Sequence, residues 1–187
     1  MSFDAPRELN DPKAMRALAH PVRIALLEAL TVHAQLTATE AGEIVGESPA
    51  NTSFHLRQLA KYGFVEEAEG GTGRRRPWRR KELGLRFTEV HADDETAAAA
   101  RELSRLYSHR FIERAERGLE DNRALPEVWR AALGWNQVAL HLTPDEVKEI
   151  DEALLAVFAP YGDRREPTED QPHGAKRVEF LTFAYRL

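Results

Sequence analysis

Arginines are the residues in this chain best equipped for chemistry. Residues 70–80 read GGTGRRRPWRR, so Arg74, Arg75, Arg76, Arg79 and Arg80 fall within seven positions, and Lys81 follows. A guanidinium stays charged at any physiological pH, and its planar fork of donors matches phosphate oxygens. Residues 74–86 hold seven basic side chains against one acid, Glu82, although the whole chain carries a formal net charge of -5. Positive charge this local can steer a polyanion whatever the total. The chemistry it suggests is a salt-dependent grip on a nucleic-acid backbone. A charge run alone is usually a solvated face or a disordered loop, so the elements around it have to decide.

A second polar set lies upstream, in SPANTSFHLRQLAKYG at residues 48–63. Ser48 is a good N-cap and Pro49 suits the first helical position. On a helix, Thr52, Leu56 and Leu59 fall on one inward stripe. Ala50, Phe54, Arg57 and Lys61 fall opposite, with Asn51, Ser53 and Gln58 on the flanks. Asn, Arg and Ser read base edges in the major groove, and apolar groups meet thymine methyls there. The reading is that Ser48, Ala50, Asn51, Ser53, Phe54, Arg57, Gln58 and Lys61 present a DNA-reading face. The competing reading packs Phe54 on a neighbouring hairpin and leaves Arg57 solvated.

Enzyme chemistry finds little to work with. The sequence has no Walker A motif, no GxGxxG opening a helix, no GxSxG and no HExxH. GGTG lacks the Lys-Ser/Thr that a phosphate loop requires. The chain has no cysteine, which removes thiolate nucleophiles, disulfides and thiolate metal sites. His91, Asp93 and Asp94, and the His109/Glu113 pair, form no familiar ligand set. We therefore expect no catalytic residue, no metal site and no cofactor. No apolar run approaches a membrane span. The N-terminus MSFDAPRELNDPK lacks the basic and apolar parts of a signal peptide, so a cytoplasmic protein without membrane contact is the expectation.

The elements that must position these residues can be sketched in order. Asn10 or Asp11 caps a short helix beginning at Pro12, and a second, apolar helix starts at Pro21. Thr37 and Glu40 form a capping-box pattern for a helix over 38–45 that stops at Gly46. The helix from Pro49 follows almost at once, and two short helices joined so tightly suggest a helix-turn-helix. FVEEAE and RPWRRKELGL then read as two strands about a glycine-rich tip, a wing. The arginines sit at its tip and on its returning strand, with Trp78 packing beneath. Of these, Arg74, Arg75, Arg76 and Arg79 are expected on phosphate or in the minor groove.

The second half differs. Residues 94–120 form a long helical pattern and 127–133 a short one. LTPDE opens a helix capped by Thr143 and Glu146, with Val147, Ile150, Leu154, Val157 and Phe158 down one face. Residues 136–142 (NQVALHL) alternate as a strand, and residues 176–185 (KRVEFLTFAY) read as a strand covered on both faces. Aromatic stripes usually mean core. Trp129, Trp135, Phe158, Phe180 and Phe183 can also line a pocket for a small apolar effector. The long helix is the dimerisation candidate, together with the first helix.

LAHPVRIALLEAL at residues 18–30, the capped helix after it, SPANTSFHLRQLAKYGFVEE and the basic wing together resemble the ArsR-type winged helix-turn-helix regulators. The Leu-Ala-His-Pro-x-Arg opening at Leu18 to Arg23 and the Ser-x-His-Leu-x-x-Leu core at Ser53 to Leu59 carry it, and it covers residues 12–90. Arg76 to Arg79 and the Leu-Thr-Pro-Asp-Glu tail resemble an actinobacterial subgroup of these regulators. The resemblance implies a homodimer on operator DNA, usually a repressor. The sequence departs from the family's metal sensors, which carry paired cysteines in the helix before the recognition helix; here that stretch, Glu40 to Val45, has none.

The expected architecture is mainly α with a small β component. A winged helix-turn-helix over 1–90 is followed by a helical dimerisation segment and a small α+β region over 91–187. The expected function is sequence-specific binding of double-stranded DNA. The helix at 49–62 would lie in the major groove and the wing at 70–81 on the backbone. Two alternatives stand beside it. One is a winged-helix protein–protein module without DNA binding, and the other is a metal-responsive regulator.

Overall fold

A computed structural model describes residues 6–71, 75–82, 84–164 and 171–186, and the chain divides into two units. The first comprises Met1–Tyr107 with Tyr161–Arg177, and the second Ser108–Pro160 with Val178–Leu187.

The first unit begins with strand β1 (Arg7–Glu8) and helix α1 (Pro12–Leu18), whose first turn is capped by Asp11 through Lys13 N–H at 2.9 Å. Helix α2 (Pro21–His33) follows after a two-residue break, because Pro21 denies residue 20 the helical conformation. His20 turns this break into a cap: its Nδ1 accepts from Val22 N–H at 3.2 Å. Strand β2 (Gln35–Leu36) leads to α3 (Ala38–Val45), opened by the capping box of Thr37 and Glu40 and closed by Gly46 at φ 76°.

Helix α4 (Pro49–Lys61) starts on Ser48, whose Oγ accepts from Asn51 N–H at 3.3 Å. It ends in a full Schellman close. Phe64 N–H reaches Leu59 O at 3.0 Å, Gly63 N–H reaches Ala60 O at 2.9 Å, and Gly63 takes φ 73°. Strand β3 (Val65–Glu67) then pairs antiparallel with β4 (Trp78–Arg80), which also pairs with β2, giving the order β2-β4-β3. Strand β5 (Leu85–Arg86) returns to the N-terminus and pairs in parallel with β1.

One hydrophobic core joins these elements. Met15 and Leu18 of α1, Leu26, Leu27 and Leu30 of α2, Leu56 and Leu59 of α4, and Phe64 and Val65 of the wing are all buried in it. The early turns of α5 (Asp94–Asn122) complete it with Ala99, Ala100 and Leu103. Asp93 starts that helix by accepting from Thr96 N–H at 2.7 Å, and His91 Nε2 lies 2.8 Å from Thr88 O.

The second unit continues α5 and adds α6 (Glu127–Ala132) and α7 (Pro144–Phe158), the latter opened by the capping box of Thr143 and Glu146. Neither α6 nor α7 has a buried residue. Two expectations are corrected here. Residues 136–142 and 176–185 form no strand, and the second stretch is not covered on both faces: Phe180, Phe183 and Tyr185 are 68%, 74% and 69% exposed. Alternation marks a segment able to pair, but pairing needs a second edge within hydrogen-bonding distance, and the described residues form no strand beside either. The chain is thus mainly α with small sheets, a winged helix-turn-helix followed by a helical segment.

Candidate nucleic-acid interface

The turn between α3 and α4 is set by close packing. A Cβ on Gly42 would lie 2.7 Å from Glu47 O and 2.9 Å from Thr52 Oγ1, so only glycine admits this approach. That contact also limits the size of Thr52, a polar residue in the inward stripe whose Oγ1 has no hydrogen-bond partner among the described residues. Its side chain is fully buried directly against Gly42, where a larger aliphatic group would not fit.

With Thr52, His55, Leu56 and Leu59 turned inward, α4 exposes Ser48, Ala50, Phe54, Arg57 and Lys61, and leaves Asn51, Ser53 and Gln58 half-buried. Phe54 is 49% exposed and touches the His55 ring edge-on, with centroids 5.3 Å apart. Its ring contact is with His55 of its own helix, whereas the competing reading would have packed it on the neighbouring hairpin. The polar groups of this face are pre-positioned. Asn51 Nδ2 donates to Glu47 Oε2 at 2.6 Å, and Arg57 Nη1 to Ser53 Oγ at 2.8 Å.

Behind α4 lies a histidine pair. The rings of His20 and His55 are 4.6 Å apart. Burial first, then the Arg23 guanidinium, holds both below the ordinary histidine value; His55 also lowers His20, and Glu47 opposes the effect at both. His20 must be neutral at Nδ1 to accept from Val22, which agrees with that direction. His20 thus caps α2, and His55 is buried on the inward side of α4.

In the wing, Glu66 stands opposite Arg79 and Glu67 opposite Trp78. Trp78 is half-buried against the core, beneath the wing as expected. Arg75, Arg76 and Arg79 are exposed, whereas Arg80 turns back to donate to Thr31 Oγ1. Arg74 lies outside the described residues. Gly71, at φ 70°, lets the two arms meet: a Cβ there would collide with Arg75 O. What the residue pattern did not disclose is that two wing arginines already have partners. Arg79 pairs with Glu66 and Arg76 with Glu67, each at 2.8 Å.

A third group was invisible in the sequence. Arg7 donates from Nη1 to Gly63 O and from Nη2 to Tyr62 O, both at 3.0 Å, and lies 4.9 Å above the Phe64 ring. It satisfies carbonyls at the end of α4 that have no helical partner. One arginine in an irregular N-terminal segment gave no signal of this.

A family model described as a helix-turn-helix domain matches residues 18–68. The chain carries a helix-turn-helix domain. That match spans α2 to β3 and includes the turn built on Gly42 and the whole of α4. No curated protein matches the chain. Among solved structures it is similar to a MarR family transcriptional regulator from Silicibacter pomeroyi DSS, at 15% identity over 82% of this chain and 79% of that one, with a TM-score of 0.34. A likeness that loose assigns neither a fold nor a function.

The second unit places the proposed effector residues without closing them into one cluster. Phe158 and Phe180 have ring centroids 5.1 Å apart, Phe183 stacks on Tyr185 at 6.3 Å, Trp129 is half-buried and Trp135 is 78% exposed. His109 Nε2 meets Glu113 Oε1 at 3.2 Å on an exposed surface of α5. Among the described residues no three His, Asp or Glu side chains gather as metal ligands, and no helix is long and apolar enough to cross a membrane.

Proposed function

We propose that the chain is a sequence-specific DNA-binding transcriptional regulator of the ArsR type, acting as a homodimeric repressor in the cytoplasm. One observation carries this reading. Helix α4 of the helix-turn-helix turns Ser48, Ala50, Phe54, Arg57 and Lys61 outward, and the wing of the same unit exposes Arg75, Arg76 and Arg79. A recognition helix reads base edges in the major groove while neighbouring cations hold phosphates and fix its register. Asn51 and Arg57 are the base-reading candidates, for adenine and guanine, and Phe54 suits a thymine methyl.

In this reading residues 91–187 dimerise the chain and sense an effector. Two recognition helices would then fall about 34 Å apart, on successive turns of a pseudo-palindromic site. The exposed apolar stripe of Val147, Ile150, Leu154 and Val157 on α7, and the aromatic side chains near it in sequence, support an apolar contact made by this half. A small apolar molecule is the effector class it suits, and the reaction class is binding, with no catalysis.

Fluorescence anisotropy with duplex DNA from upstream of the protein's own gene tests the reading. Binding with a steep salt slope, shallower in Arg75→Ala/Arg76→Ala, supports it. A protein that binds neither this duplex nor random DNA at low salt is not a DNA regulator. One observation favours the second reading, a protein-docking winged helix: Glu66 and Glu67 occupy two of the wing's arginines. The same titration separates the two.

A further inference from the structure

Two of the wing's arginines face acids of the same wing, and that pairing changes what the wing can do. Glu66 and Arg79 stand directly opposite each other on β3 and β4, and Arg79 Nη2 lies 2.8 Å from Glu66 Oε1. Glu67 reaches past its opposite residue, Trp78, to Arg76 Nη1, also at 2.8 Å. All four side chains remain well exposed, between 39% and 56%. Ion pairs in so wet a setting are weak, and a phosphate can compete for the same guanidinium.

We propose that Glu66 and Glu67 are a built-in counter-charge that sets the wing's affinity for DNA: they hold Arg79 and Arg76 in the free protein and must yield them to backbone phosphates on binding. The proposal rests on the DNA reading of the preceding subsection and adds the residues that attenuate it. The displaced carboxylates stay within a Debye length of the phosphates they gave way to, so they oppose binding twice, as competitors and as like charges. Phosphate contacts carry no sequence information. The two glutamates therefore weaken operator and random DNA by the same factor. They tune overall occupancy without altering which site is chosen. The sequence alone gives no sign of this, because +6 over residues 74–86 counts none of the acids on the opposite strand.

The test is Glu66→Gln, Glu67→Gln and the double variant in the full chain, titrated against two duplexes at several salt concentrations. One duplex comes from upstream of the protein's own gene, and the other is random and of equal length. The double variant is expected to bind both duplexes about three- to tenfold more tightly, with a salt slope steeper by about one to two phosphates. Arg79→Ala is expected to lose more affinity in the Glu66→Gln background than in the wild type, which a double-mutant cycle reads directly. Unchanged or weaker binding by Glu66→Gln/Glu67→Gln, with wild-type binding intact, overturns the counter-charge while leaving the DNA reading standing. Binding gained by the double variant from a silent wild type supports both. Silence from both proteins on both duplexes overturns the DNA reading and the counter-charge with it. Each glutamine keeps its glutamate's shape at an exposed site, and unchanged melting of each single variant is the check on folding.

Discussion

Arg7 caps Gly63 from 56 positions away in sequence: its Nη1 donates to the Gly63 carbonyl at 3.0 Å while Nη2 takes that of Tyr62. A positive group at this end of α4 also suits the helix dipole, and the Phe64 ring below adds a cation–π contact. The end of the recognition helix is thus fixed by a residue that lies nowhere near it in the chain. Arg7→Ala is expected to cost about 1–2 kcal/mol of stability, from charged hydrogen bonds at a partly exposed site. Urea denaturation measures it. In anisotropy, operator affinity should fall further than random-DNA affinity, because helix placement matters to base contacts more than to phosphate contacts. Equal losses on both would leave Arg7 a stability residue alone.

Gly42→Ala tests the turn. The added methyl would sit 2.7 Å from Glu47 O and 2.9 Å from Thr52 Oγ1, one a backbone atom and the other fully buried. Neither can move freely, so a loss of about 1–3 kcal/mol is expected. The chemical denaturation midpoint should drop accordingly. A midpoint like that of the wild type would mean the α3–α4 turn is looser than its packing indicates.

Phe54→Ala separates the fold from the interface. The ring is half-exposed and touches His55 only at its edge. Its removal should change stability by no more than about 1 kcal/mol. Operator affinity should fall by about 1–3 kcal/mol, as for loss of a good base contact. A large stability change with unchanged DNA affinity would make Phe54 a packing residue and not a DNA contact.

Acid should weaken the fold through the histidine pair. Burial and Arg23 hold His20 and His55 below the ordinary value of 6.5, so the folded protein binds fewer protons there than the unfolded chain. The stability they confer is complete above about pH 6.5 and is lost as pH falls from there through their depressed folded values. Glu40, Asp93 and Glu146 are lowered too, by hydrogen bonds from Thr37, Thr96 and Thr143, but their contribution is lost only as pH falls from the ordinary carboxylate values of 4.5 and 3.8 downward. Urea midpoints from pH 8 to pH 5 should therefore fall mainly below pH 6.5. His55→Gln should flatten that fall. An identical slope in the variant would assign the loss to other groups.

How far the sequence revealed all this varies with the distance each signal spans. Helix α4, its Ser48 cap and its three faces were legible because caps and stripes are written within a dozen neighbouring residues. The Thr37/Glu40 and Thr143/Glu146 capping boxes were legible for the same reason, and both are formed. The α+β promise of the tail was not kept, since alternation in NQVALHL states only which faces differ. Glu66 and Glu67 were legible as residues but not as partners of Arg79 and Arg76, because cross-strand pairing depends on register. Arg7 had no local pattern at all.

The parallel pairing of Arg7–Glu8 with Leu85–Arg86 has a consequence for how the protein is made. The strand that β1 pairs with is synthesised nearly eighty residues after it. At about 5–20 residues per second the nascent β1 waits on the order of 4–15 s without its ladder. Helices α2, α3 and α4 can assemble from local contacts during that interval, but the β1–β5 seam cannot. Strand β1 therefore goes unpaired for longer than the local helices do, and is open to nascent-chain proteases and chaperones until β5 emerges.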